Sequence, residues 1–246
     1  MKKLFYLPLM LGAIAVAFTS CSDDDNGPTS QAITISHSAV PAGAEEVRNM
    51  RVVVWNEEDE AFTVVYTTLT ALGFTLLLDA TPHASTLADL GDARVAEFVN
   101  IEGFSTNDGT FEDDYFLGEF WNERIEGAAL DFITFTEHYW YADRDLVVQG
   151  TAEEWTFNLN LRQGWNRVFS IIDVTVTVDE ENPFDFDVDM TVEFTSTPVP
   201  NLSWVFDADG NAGNALTTAT TSAEVAAIEK VREVRSRGIN ALQMIR

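Results

Sequence analysis

Forty of the 246 residues are Asp or Glu, against 14 Lys and Arg, so the chemistry open to this chain begins with carboxylates. Glycoside hydrolysis needs them in pairs, with one acid held protonated and its partner ionised at roughly 5 Å or 6.5–9.5 Å. Glu57, Glu58, Asp59 and Glu60 are contiguous, which suits a solvated turn better than a cleft. Glu112, Asp113 and Asp114, or Asp143 and Asp145, are the sets from which a catalytic pair could be drawn. Asp185, Asp187 and Asp189 alternate with Phe184, Phe186, Val188 and Met190. Period two places the three carboxylates on one face of a strand, about 7 Å apart. Calcium takes six to eight oxygens at about 2.4 Å, so such a row would bind it only with further ligands from a loop; otherwise it is a solvated face that discourages edge pairing. Asp207, Asp209 and Asn211 open a second calcium-like loop. That loop offers Ala212 and Thr218 where an EF-hand needs glycine and glutamate. No motif calls for a cofactor, and calcium is the metal these aspartates would admit.

Nucleophilic chemistry finds less support. The histidines, His37, His83 and His138, are widely spaced and form no paired motif. Gly103-Phe104-Ser105-Thr106-Asn107 approaches the G-x-S-x-G elbow, yet Asn107 replaces the last glycine and an acidic segment follows in place of a helix. No Gly-rich phosphate loop or dinucleotide fingerprint is present. Trp55, Trp121, Trp140 and Trp204 are the aromatics that periodicity does not assign to a core, and stacking on sugar rings is the use they would have if exposed.

The positioning elements read as strands. Residues 32–36, 47–55, 62–69, 73–78, 94–101, 115–121, 130–141, 146–150, 154–161, 165–178, 184–194 and 202–206 are rich in β-branched and aromatic residues, several with strict alternation. In 154–162, Trp155, Phe157, Leu159 and Leu161 form one face and polar residues the other. The strands between 115 and 178 suggest a meander, with hairpins across 56–60 and 179–183. Residues 83–90 suggest a short helical turn. Thr221 and Glu224 fit a capping box, and Val225, Ile228 and Val231 fall on one side of a helix that ends near Gly238. Its lysine and arginines would dock it on the acidic body of the chain itself.

The beginning of the chain is an address. Lys2 and Lys3 precede an apolar run over 4–18, too short to span a bilayer, and Thr19-Ser20 lead into the sole cysteine, Cys21. Thr19, Ser20 and Cys21 resemble the lipobox of bacterial lipoproteins, with Phe18 where an aliphatic residue is usual. In that family the thiol is acylated and becomes the mature N-terminus. Cys21 followed by Ser22, Asp23, Asp24 and Asp25 resembles the export signal of Bacteroidota surface lipoproteins. The resemblance implies an outer-membrane, outward-facing protein held to the bilayer through acylated Cys21. Removing residues 1–20 takes two lysines and leaves 40 acids against 12 bases, a formal charge of −28. Such a surface repels nucleic acid. With its one thiol acylated, the mature chain has neither disulfides nor a cysteine-held metal.

Tyr141 to Asp145, Val148 to Gly150, Asn158 to Leu161 and Gly164 to Val168, with Gly73-Phe74-Thr75 earlier, are similar to small Bacteroidota lipoproteins of uncharacterised function. These motifs are turn and strand signals, and the resemblance carries no catalytic residue. The expected architecture is a mainly β, antiparallel β-sandwich with a C-terminal amphipathic helix. Its divisions are a signal peptide (1–20), a polar tether (21–31), the sandwich (32–215, with a sub-boundary near 103–114) and a helical segment (216–246). The expected function is a non-catalytic binding or interaction module whose partner is a polysaccharide or another envelope protein. A surface glycan hydrolase and a scaffold subunit are the alternatives.

Overall fold

The computed structural model describes residues 31–56, 61–98, 100–105, 115–128, 130–179, 182, 185–208 and 221–235. In chain order the strands are β1 (Ile33–His37), β2 (Asn49–Trp55), β3 (Ala61–Thr68), β4 (Phe74–Leu78), β5 (Ala88–Asp89), β6 (Arg94–Phe98) and β7 (Asn100–Phe104). They continue with β8 (Phe116–Ala128), β9 (Asp131–Ala142), β10 (Leu146–Ala152), β11 (Trp155–Leu161), β12 (Gly164–Val178), β13 (Phe186–Thr195) and β14 (Ser203–Asp207), before helix α1 (Ser222–Arg235). Twelve strands form one sheet, with the main path β10-β11-β13-β12-β9-β8-β7-β2-β3, while β1 and β4 pair as a small second sheet. The architecture is the mainly β, antiparallel sandwich that the alternation implies.

The expected meander does not form. β12 pairs with β9, and β13 folds back between β12 and β11, lying parallel to β11. Turn residues mark which strands follow one another, and not which become neighbours. The fifteen residues of β12 are long enough to pair with β9 and β13 on its two edges. A single strand was expected over 94–101. Instead β6 pairs with β9 and β7 pairs with β8, so the two halves serve different neighbours. The helical turn expected over 83–90 is one 3-10 turn, Ala84–Thr86.

Two cores lie on opposite faces of the large sheet. On one, Trp140, Val168, Ile172, Trp155, Phe157 and Phe194 pack with residues of α1. On the other, Tyr139, Tyr141 and Trp165 pack with Met50, Val52 and Val54 of β2 and with Ile35, Phe74 and Leu76 of the small sheet. β9 is buried on both faces because it divides these cores.

The helix starts where the capping box places it. The Thr221 N–H donates to Glu224 Oε2 at 2.9 Å, and the Glu224 N–H donates to Thr221 Oγ1 at 3.2 Å. Its buried stripe is Ala223, Ala227, Ile228, Val231 and Val234, so Val225, expected on that stripe, is turned to solvent. Small alanines at the contact let the helix approach the sheet, and Lys230 Nζ donates to the Val188 carbonyl of β13 at 2.9 Å. Replacing Thr221 with Ala should lower the unfolding free energy by about 1 kcal/mol, the usual worth of an N-cap, read as a shifted urea midpoint with an unchanged m-value.

Candidate functional site

Where β6 and β7 part, β8 and β9 also diverge. They pair from Glu123↔Thr136 to Ala128↔Asp131, and β9 pairs with β6 from Tyr139 onward. At that divergence the sheet buries a carboxylate, with Glu137 only 6% exposed. Three side chains satisfy it: Asn122 Nδ2 donates to Oε2 at 2.5 Å, Arg167 Nη1 donates to Oε1 at 2.9 Å, and Tyr139 also hydrogen-bonds it. Burial first, and then the charge of Glu137, push the Tyr139 phenol well above its ordinary 10.0, so it stays a neutral donor. His138, on the opposite face, shares a hydrogen bond with Ser170 Oγ at 2.9 Å and packs on Phe194. The adjoining cleft, lined by Asn122, Glu137, Tyr139 and Trp204, holds about 10 Å³, room for one water. Glu137 is thus fully paired, while Asn122 Oδ1 is buried without a partner among the described residues, and the cleft beside them is too small for a ligand.

A second set of acids is created by register. Glu102 on β7 stands beside Arg51 of β2 and opposite Glu119 of β8, which stands opposite Asp207 of β14. Like charges directly opposite repel, and Arg51 Nε relieves the row at one end by pairing with Glu102 Oε2 at 2.6 Å. Among the described residues no three of His, Cys, Asp and Glu are arranged to hold a metal ion.

Asp143 and Asp145, a candidate catalytic pair, pin the loop between β9 and β10. Asp143 accepts from the Arg94 N–H at 2.9 Å and from Arg94 Nε at 3.1 Å, with Arg144 at 3.4 Å. Burial raises its carboxyl, but the hydrogen bonds and the two arginine charges outweigh it and hold the group below 3.8. Asp145 accepts from the Gln163 N–H at 2.9 Å and from Arg162 at 2.8 Å, and these bonds hold it low as well. A glycosidase needs one acid moved the other way, so this pair lacks the general acid.

The remaining sequence candidates separate. Trp140 is fully buried beside Phe194 of β13, their rings tilted with centroids 5.4 Å apart, so it belongs to the core and a ligand-stacking role for it is corrected. Trp121 is half-buried on β8. Trp204 is half-buried against Phe74, edge-on at 5.1 Å, with His37 at 6.4 Å. Trp55 ends β2, and its side chain lies outside the described residues. Asp185, Asp187 and Asp189 form the exposed alternating row expected, with Asp187 and Asp189 opposite Thr177 and Thr175 rather than other ligands. Asp207 is buried at the end of β14. Cys21, Ser22, Asp23, Asp24, Asp25, Glu112, Asp113, Asp114, Asp209 and Asn211 lie outside the described residues.

Sequence reasoning missed an open groove where one hairpin is split between two sheets. Thr70 and Gly73 exchange backbone hydrogen bonds at 3.0 and 2.9 Å, a tight turn between β3 and β4. β3 ends the large sheet and β4 belongs to the small one, so the strands leave a wedge of about 430 Å³, within the range of ligand sites. Ser36, His37 and Ser38 line it from β1 and the residue after it, Thr67, Thr68 and Thr70 from β3 and the turn, and Phe74 and Thr75 from β4. Gly73 lies at their meeting point with φ +88°, where an added Cβ would overlap the His37 carbonyl, so glycine is required there twice over. The threonines are visible in the sequence. Their meeting with Ser36 and Ser38 depends on the β1–β4 register, Ser36↔Thr75 and His37↔Phe74, which the sequence leaves open.

Two outcomes follow from these geometries. Arg167→Met leaves the Glu137 carboxylate buried without its counter-charge; since Arg167 is 48% exposed, the cost should be about 2–3 kcal/mol, below the 3–5 of a fully buried pair. Adding Glu137→Gln should recover part of it, a non-additivity readable in urea unfolding of the two single variants and the double. Asp143, held below 3.8, contributes stability above that pH and loses it as pH falls through its folded pKa. The stability gap between the native chain and Asp143→Asn should therefore be constant above about pH 5 and should close as the pH drops below 3.8.

Compared with known protein families, characterised proteins and solved structures, the chain finds no match.

Proposed function

We propose that this chain is an outer-membrane lipoprotein, anchored through acylated Cys21 and facing outward, whose sandwich serves as a non-catalytic binding module. The observation that carries the binding half is the wedge between β3 and β4. It has the volume of a ligand site, and its lining mixes serines and threonines with Leu72, Gly73 and Phe74 and includes no carboxylate, lysine or arginine. The hydrolase alternative is weakened at its Asp143 and Asp145 pair, because backbone N–H groups and then arginines hold both acids low. The address rests on the sequence from Thr19 to Asp25. Acyl chains contribute about 0.8 kcal/mol per buried methylene, so two or more keep a domain on a bilayer without a spanning helix. The partner classes consistent with such a module are a polysaccharide and another envelope protein.

The experiment is expression of the full chain and of Cys21→Ser in a Bacteroidota host, followed by fractionation and protease treatment of intact cells. The native chain should label with palmitate, sediment with outer membrane and be digested on intact cells. The Cys21→Ser chain should lose the label and leave the membrane. A native chain that stays soluble, or is protected until cells are lysed, would overturn the location.

A further inference from the structure

The wedge between β3 and β4 is unusual for this protein in what it lacks. Charged residues make up 22% of the chain, so ten lining positions would hold about two by composition, and they hold none. Its one titratable group is the His37 imidazole. The hydroxyls of Ser36, Ser38, Thr67, Thr68 and Thr75 have no hydrogen-bond partner among the described residues, and Thr70 Oγ1 is used locally, donating to the Gly73 carbonyl at 3.0 Å. Each free hydroxyl can donate once and accept twice. Leu72, 84% exposed at the turn, forms an apolar lip, and Phe74 and His37 close one end with Trp204 behind them.

Ligand classes can be sorted by this lining. An anion would meet a strongly acidic protein with no local cation to hold it. A metal ion would find no carboxylate. A large apolar ligand would strand the hydroxyls without partners, at a cost for each buried polar group. What fits is a neutral molecule whose own groups both donate and accept and which also has a C–H face for the exposed Leu72. Resting on the binding reading above, we infer that the β3–β4 wedge is a subsite for a neutral polysaccharide chain, whose sugar hydroxyls bond to Ser36, Ser38, Thr67, Thr68 and Thr75 and whose ring faces pack on Leu72.

The test is calorimetric titration of the full chain, as Cys21→Ser, with neutral hexasaccharides built from glucose, mannose, galactose or xylose. Uronate and sulfated hexasaccharides and a neutral Ser/Thr-rich peptide are the comparison ligands. At least one neutral hexasaccharide should bind, with a Kd that stays within twofold between about 50 and 500 mM salt, because no charge is engaged. Ser36→Asp and Thr68→Glu, both at exposed positions, should each weaken it at least tenfold with an unchanged melting temperature. Thr175→Ala, on the outer face of β12, should leave it unchanged. Absence of binding by every neutral sugar, binding untouched by both groove variants, or preference for a charged sugar or the peptide would each overturn the inference. The cell-surface experiment would still stand, since it reads location alone.

Discussion

Four consecutive residues at the start of β12 hold the two sheets in one relation, and the wedge exists only because they do. Gly164, at φ +102°, lets the chain leave β11 and enter β12. Around it, Gln31 bonds to Gln163 and Trp165 through backbone at 2.8 Å each, tying the lead into β1 to the large sheet. Trp165 Nε1 donates to the Ala80 carbonyl just beyond β4 at 2.8 Å, and its buried ring supplies core. Asn166 locks the turn, accepting from the Arg162 N–H at 2.8 Å and donating to the Arg162 and Gly164 carbonyls. Arg167 donates to the Thr34 carbonyl of β1 at 3.0 Å and to buried Glu137 at 2.9 Å. One guanidinium thus neutralises the carboxylate at the sheet's divergence and fastens the small sheet over it.

That arrangement explains how positive charge is used in a chain so acidic. Among the described residues, Arg51, Arg94, Arg124, Arg144, Arg162 and Arg167 stand within ion-pair distance of carboxylates. The exposed pairs among them, such as Arg162 with Asp145, add little stability singly, unlike Arg167 with buried Glu137. Their effect here is local: they hold loops and strand ends at fixed geometry and keep selected carboxylates ionised. An arginine committed to Asp143 or Glu137 is not presented to an anionic partner, so the surface remains acidic at long range.

The strands were legible because their cause is local. Alternation in Trp155 to Leu161 and in Asp185 to Met190 gave the faces, and Thr221 with Glu224 gave the helix start. Pairing was not legible, because nothing in β13 announces that it will lie parallel to β11, nor in β6 and β7 that one extended run will serve two neighbours. Trp140 illustrates the same limit. Its sequence neighbours Tyr139 and Tyr141 face one core while Trp140 faces the other, and alternation assigns faces without saying that both are buried. The acids visible as candidates proved easiest to misjudge: Asp143 and Asp145 look like a reactive pair in sequence, and only the positions of Arg94, Arg162 and the Gln163 N–H show them to be loop anchors.

The site itself was missed for a related reason. Serines and threonines in strands are ordinary, and their number says nothing until the register brings two groups from opposite sides of a gap. Here the gap follows from topology: a two-residue turn at Ala71 and Leu72 joins strands that belong to different sheets, so they must separate as they leave it. Gly73 lets the end of β1 at His37 lie against that turn, which brings Ser36 and Ser38 to the same wedge as Thr67 and Thr68. A wedge made this way is lined by whatever the inner ends of β1, β3 and β4 provide, and in this chain they provide hydroxyls without charge. Elsewhere repulsion among the acids is met by pairing them with arginines or leaving them in water. In the wedge it is met by having no acids at all, which leaves a neutral, hydrogen-bonding surface that the protein's own field disturbs least.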